Sequence, residues 1–508
     1  MKNKYLRFLA FNLISGFTLL SASAQTDKNS SREEQKIKAA SIPDKVQTVA
    51  GELQFFDGVP IGNTNDLVYD YLNRARAVDV YLDNLGAVSI YSILEAMAEQ
   101  GADAPNKVAI WAQLMDSRTP VITSNTSTMY VYGSTDLGKD GPTVIEIPPG
   151  MLGFLDDAWQ RYVGDMGVAG PDKGQGGKYL LLPPAYKGEV PAGYFILKPR
   201  TNKNFLFLRG SIQNGLEAAV DNFTKGLKIY PLKDKDNPAP TELVNMSGRS
   251  FSTIFPSTLK YYEILNTIIQ EEPIDAIDPE VRGEIASIGI VKGKPFTPNE
   301  NMKNLLGEAA ILGNAAGRTI TYEPRISGVF IYPDDKKSNW AMGYANKNTS
   351  FEAEGAMNLD ARVLFYYNAG GVTPAMAVTR AGQGSDYALG SLDANNKPLD
   401  GAKTYKLRLP PNVPVNNFWA VTMYDTQTRC QLQTDQLFPT VGSQDKGIVK
   451  NTDGSYDIYF APTPPKGKEG NWLQTLPGKS WFILLRMYGP LESWIDQTWR
   501  PGQIELVN

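Results

Sequence analysis

No histidine occurs in the 508 residues, and cysteine occurs once, at Cys430. The first absence removes the Ser-His-Asp triad, the Cys-His pair and any histidine-ligated zinc. It also removes the side chain most often poised as a general base near neutral pH. The second rules out an internal disulfide, a C-x-x-C redox pair and a two-cysteine zinc ligand set. Basic clusters are missing too, and the formal charge is −4, which argues against nucleic acid as a partner. What remains for chemistry is Asp, Glu, Tyr, Lys, Arg, Ser and Thr.

The chain opens on a targeting pattern. Lys2, Lys4 and Arg7 precede an apolar run from Phe8 to Leu20, and Ala22-Ser23-Ala24 is a small-x-small cleavage site. The run is interrupted by Asn12 and Ser15 and is shorter than the ~20 residues of a membrane span. Residues 1–24 therefore read as a signal peptide, with Gln25 as the mature N-terminus and a periplasmic or secreted destination. No later run is long enough to predict a stable membrane span, and the lone cysteine leaves an exported chain dependent on core size.

Residues 25–41 read as a polar tether, rich in charge and serine. Apolar residues from Asp66 to Gln100 recur at spacings of three and four, which predicts helix, stopped at Gly101. After Pro105 come short β-branched and aromatic segments: Val121 to Thr123, Thr128 to Tyr132, Val144 to Ile147, Lys178 to Leu182, Tyr194 to Leu197 and Phe205 to Arg209. Three capped helical runs follow, at Ser257, at Asp278-Pro279 and at Thr297-Pro298. The small residues Gly307, Ala309, Ala310, Gly313, Ala315 and Ala316 predict that the last helix packs closely. From Ala361 onward the pattern is β, with candidate strands Arg362 to Tyr367, Ala375 to Thr379, Thr404 to Leu409, Phe418 to Tyr424, Ser455 to Phe460 and Trp481 to Tyr488. The expected fold is mainly β with helical insertions. A β-rich N-terminal domain (42–256) and a helical connector (257–317) lead to a jelly-roll-like C-terminal β-sandwich (318–508).

Lys178-Tyr179-Leu180-Leu181-Leu182-Pro183-Pro184 with Tyr186 and Gly188, and Ile288-Gly289-Ile290 with Gly293 and Pro295-Phe296, carry a resemblance. So do Pro398-Leu399-Asp400-Gly401, Phe418-Trp419 with Thr422 and Tyr424, Asn471-Trp472-Leu473, and Arg486-Met487-Tyr488 with Pro490. Together they resemble exported bacterial proteins that pair domain of unknown function 1254 with domain of unknown function 1214. Gln474 stands where that pattern has proline. The resemblance implies a β-rich first domain, a jelly-roll second domain and a homo-oligomer. It carries no catalytic assignment, and no cofactor is expected.

Short motifs are weak here. Gly174-Gln175-Gly176-Gly177-Lys178 lacks Walker spacing, and Lys233 to Asn237 lacks the glycine and glutamate of a calcium loop, so no metal site is predicted. Ser-x-x-Lys occurs at Ser257/Lys260 and Ser443/Lys446 without its usual companions, so Ser257 reads as a helix cap. Trp340, Trp419 and Trp472 fit either β-core packing or a stacking platform. The sharper signal is charge inside apolar strands. Arg486 lies within Trp481 to Tyr488, and Arg209 ends Phe205 to Arg209. A buried guanidinium needs a carboxylate or an anionic ligand. Asp425 is the candidate partner of Arg486, and Tyr424 and Trp472 are candidate pocket walls. The leading functional expectation is binding of a small polar or anionic molecule in a β-sandwich pocket. Its rivals are a histidine-free hydrolase or lyase using carboxylate, Tyr and Arg groups, and a structural assembly protein.

Overall fold

The C-terminal strands show why these residues form sheets. Along Trp481–Pro490, Trp481, Ile483, Leu485 and Met487 alternate with Phe482, Leu484, Arg486 and Tyr488. Period-two alternation sends the two sets to opposite faces. The first set joins Trp419, Val421 and Met423 and meets Leu407, Leu409, Ile458 and Phe460 of a second sheet. The first sheet runs Ser385–Gly390, Trp481–Pro490, Val415–Asp425, Thr440–Gly442. The second runs Trp472–Gln474, Tyr456–Ala461, Tyr405–Leu409, Ile504–Leu506. These two four-stranded sheets share one core, and Trp340 and Trp419 are buried in it.

The structure, a computed structural model, describes residues 32–507. The predicted signal peptide lies outside the described residues. The described residues up to Ala75 form one compact unit and those from Arg76 onward another. The first contains a helix, Arg32–Ala40, and an antiparallel three-stranded sheet of Lys45–Thr48, Gly51–Phe56 and Val59–Ile61.

The second unit holds both β-rich halves. Its N-terminal half has a six-stranded sheet ordered Glu242–Asn245, Lys107–Ile110, Met129–Asp136, Lys203–Gly210, Leu152–Asp157, Tyr162–Gly167. A four-stranded sheet ordered Phe195–Leu197, Gly177–Leu181, Thr143–Ile147, Lys228–Pro231 shares its core. In Lys203–Gly210, Leu206 and Leu208 enter that core, while Phe205 and Phe207 face a second cluster with Ile90, Ile93 and Met97 of the helix Leu85–Glu99. The fold is thus β-rich with helical insertions, as expected.

The helices Leu259–Glu271, Pro279–Ser287 and Glu300–Tyr322 correspond to the three capped runs. Their caps differ in detail. Thr258, not Ser257, accepts the Lys260 amide, and Asn299, not Thr297, accepts that of Met302. Within the predicted small-residue run, Gly313 answers a close approach: a Cβ there would sit 2.3 Å from the buried Tyr81 ring.

Three strand expectations fail. Val121 to Thr123 is a loop with one isolated bridge, Ile122 to Cys430. Arg362 to Tyr367 belongs to the helix Leu359–Asn368, and Ala375 to Thr379 overlaps the short helix Pro374–Ala377. Asn358 caps the longer helix by accepting the Ala361 amide. Its residues Ala361 and Val363 to Tyr367 are all buried, so no polar stripe betrayed the helical period.

Candidate functional site

The faces turned away from the two sandwich cores meet around a cavity of about 170 Å³. Tyr130, Tyr132, Phe207 and Arg209 line it from the N-terminal half. Tyr387, Leu389, Phe482, Leu484 and Arg486 line it from the C-terminal half. Leu364, Phe365 and Met376 add apolar surface, and Asp386 and Lys347 also border it.

Sheet register places each arginine against a tyrosine. Arg209 is paired across the strands with Tyr130, and Arg486 with Tyr387. The Arg209 guanidinium lies 4.9 Å from the Phe207 ring centre and 5.5 Å from that of Tyr130. The Arg486 guanidinium lies 5.2 Å from the Tyr387 ring centre. Such contacts are cation–π in geometry and stabilise a desolvated cation by about 2 kcal/mol or more.

Arg486 is 3 % exposed. Its hydrogen bonds leave from Nη2, to Tyr424 Oη at 2.6 Å, Thr123 O at 2.8 Å and Ser124 O at 3.2 Å. Its Nε is buried without a partner. Tyr424 donates its own proton to Ser124 O at 2.7 Å. The loop that offers these carbonyls is pinned in turn, since the Thr123 hydroxyl donates to Asn368 O at 2.8 Å. Arg209 is half-buried; its Nη2 lies 3.5 Å from the Met376 sulfur, and its guanidinium also stands within hydrogen-bonding reach of the Tyr387 hydroxyl. The titratable groups crowding both guanidiniums are tyrosines, and among the described residues neither forms an ion pair with a carboxylate.

The phenols differ. Burial pushes Tyr424 and Tyr488 above the ordinary tyrosine value, and the Tyr488 hydroxyl is buried without a partner. Burial acts on Tyr387 in the same direction. There, however, the Arg209 and Arg486 guanidiniums and the Ser385 hydroxyl, 2.6 Å from Tyr387 Oη, outweigh it and hold the phenol below its usual value. Asp386 is already engaged: it accepts from Thr379 Oγ1 at 2.6 Å and from Trp494 Nε1 at 2.9 Å, and Lys347 Nζ stands 3.8 Å away.

Of the residues expected from sequence, Arg209 and Arg486 line the cavity, whereas Tyr424, expected as a wall, is buried behind it and bonds Arg486 Nη2. Asp425 lies elsewhere. It is ion-paired with Lys479 and accepts the Gln427 and Thr428 amides at 2.6 and 3.0 Å, so it caps a turn rather than meeting Arg486. Trp472 is not in the cavity wall, and its indole donates to Ala461 O at 2.8 Å. Sequence reasoning missed Tyr130 and Tyr387. The available signal for Tyr387 was the segment Ser385–Gly390, whose glycine-rich approach from Gly382 to Gly384 hid a strand.

The weaker motifs resolve as structure. Burial pushes the Cys430 thiol up to about 12, which leaves it protonated and unreactive. Ser257 bonds Tyr81 and Asn314, while Lys260 stands 3.7 Å from Glu263. No group of His, Cys, Asp and Glu suited to a metal ion occurs among the described residues. None of their helices is long and apolar enough to cross a membrane.

Residues 105–231 match the family model described as "Protein of unknown function (DUF1254)", and residues 384–492 match "Protein of unknown function (DUF1214)". Arg209 and Tyr130 fall in the first match, Arg486 and Tyr387 in the second. The VPA0106 protein from Vibrio parahaemolyticus has a similar fold, with TM-score 0.50 and 18% identity over 86% of this chain and 100% of that one. A putative uncharacterized protein from Burkholderia cenocepacia aligns with TM-score 0.38 and 13% identity over 88% of this chain and 97% of that one. No curated protein matches.

Proposed function

For a chain that carries a DUF1254 region followed by a DUF1214 region, we propose binding of a small organic carboxylate with an apolar body, in the cavity bordered by both. One observation carries the reading: Arg209 and Arg486 reach the same cavity from different sheets, and among the described residues no carboxylate pairs with either. Leaving a buried cation without an anion costs several kcal/mol, and an entering carboxylate offsets that cost. Guanidinium is suited to the task because its planar fork matches a carboxylate. Phe207, Leu364, Phe365 and Leu484 supply the apolar wall for the rest of the ligand. Benzoate combines both features and is the first probe. Calorimetric titration should give one saturable site that disappears in Arg209→Met/Arg486→Met. Binding of sulfate with equal strength would instead mean a site for inorganic anions.

The setting of this activity is part of the same reading. The basic start, apolar run and Ala22-Ser23-Ala24 support export and cleavage before Gln25. Intact-mass measurement on protein taken from the periplasm or medium tests it, and a species retaining Met1 to Ala24 overturns it.

A further inference from the structure

We propose that the cavity is a proton-transfer site for 2-oxo carboxylates, with Tyr387 as the base that removes a proton from the carbon next to the keto group. The proposal rests on the anion-binding reading and adds chemistry to it. Tyr387 stands against both cations, Arg486 across the strand pair and Arg209 from the opposite sheet. Ser385 Oγ lies 2.6 Å from its oxygen and can hydrogen-bond a phenolate. The other phenols near the two guanidiniums are Tyr130, Tyr344 and Tyr488; burial raises Tyr344 and Tyr488, whereas the two guanidiniums lower Tyr387. With Tyr387 deprotonated, the two guanidiniums balance one phenolate and one ligand carboxylate.

The step balances without any further reactant. The carbon–hydrogen bond next to the keto group breaks, and its proton forms the O–H bond of Tyr387. The electron pair becomes a carbon–carbon double bond, and the keto π pair moves to oxygen as an enolate. One guanidinium holds the ligand carboxylate and the other meets the enolate oxygen, which is where charge develops. Return of the proton to that oxygen gives the enol, and return to carbon restores the ketone. The net reaction is a tautomerisation, in which a general base of this kind contributes about 100- to 10 000-fold.

Phenylpyruvate is the probe, since it joins a carboxylate, a keto group, an acidic methylene and an apolar ring. Its methylene signal is followed by proton NMR in deuterium oxide with wild type and Tyr387→Phe. The wild type should exchange the methylene hydrogens at least ~100-fold faster than the variant. Benzoate titration should show that the variant still folds and binds. In parallel, the tyrosinate absorbance band should appear in wild type below the ordinary tyrosine value of about 10 and be absent from the variant over that range. Equal exchange in the two proteins overturns the proposal, and so does an identical tyrosinate titration. Benzoate binding with no exchange of bound phenylpyruvate also overturns it while leaving the anion-binding reading in place. Failure of both ligands to bind wild type overturns both readings.

Discussion

Two neighbouring strands of one sheet treat arginine in opposite ways. At the turn after Leu152–Asp157, Arg161 Nε donates to Asp157 Oδ2 at 2.7 Å, and Nη1 donates to Ala276 O at 2.7 Å. Asp157 also accepts the Trp159 and Arg161 amides at 2.9 and 3.1 Å. One strand away, Arg209 faces a cavity with a thioether and two aromatic rings, and Arg486 faces it from the other half with neutral oxygens. At the turn, positive charge completes the fold. In the cavity, on the proposed reading, it is left for an anion.

The largest difference should come from deleting each kind of charge. Arg161→Met strands a buried carboxylate and should cost about 3–5 kcal/mol of stability. Arg486→Met strands no carboxylate and keeps much of the stem's packing, so denaturant unfolding should move by less than ~1 kcal/mol or show a gain. Equal losses in the two variants would erase the distinction. Next in size is the effect on binding. A charge-assisted hydrogen bond contributes about 1.5–3 kcal/mol, so Arg486→Met should weaken benzoate binding roughly 10- to 100-fold, read by calorimetry. Arg161→Met, if folded, should leave that affinity unchanged.

A carboxylate mirrors the unpaired cations. Glu272 is 1 % exposed and takes neutral donors: Tyr91 Oη at 3.0 Å, the Asn202 amide at 2.6 Å and the Lys203 amide at 3.0 Å. Burial outweighs these donors and pushes it up from 4.5 to about 7. The folded state therefore keeps a proton that the unfolded state releases. Stability from this group is fully present below about 4.5 and is lost as pH rises through about 7. Unfolding midpoints followed across that window should fall in wild type and flatten in Glu272→Gln. The smallest expected effect belongs to Asp425→Asn. Asparagine can still accept the turn amides, so stability should drop by about 1 kcal/mol or less, with benzoate affinity untouched.

What the sequence made legible follows from physics that is local. The strands holding Arg209 and Arg486 announced themselves because each is a nearly continuous apolar run broken by one charge, and both arginines line the cavity. The helix Leu359–Asn368 did not, because a helix buried on nearly every face has the β-branched and aromatic density of a strand. Tyr387 and Tyr130 were illegible for a different reason. Their importance comes from register, which sets Tyr387 against Arg486 and Tyr130 against Arg209, and register is a property of pairing between distant segments. Asp425 was misassigned for the same reason. Sequence proximity to Tyr424 suggested a role beside Arg486, but the carboxylate ends the strand and caps the turn that follows.

The central claim is that the two unpaired arginines are held for an anion, and benzoate calorimetry on wild type and Arg209→Met/Arg486→Met tests it most directly. The account predicts one benzoate per wild-type chain and no measurable binding to the double variant, whose unfolding midpoint remains at or above that of wild type. Equal benzoate binding by the two proteins, or a double variant that fails to fold, would contradict it.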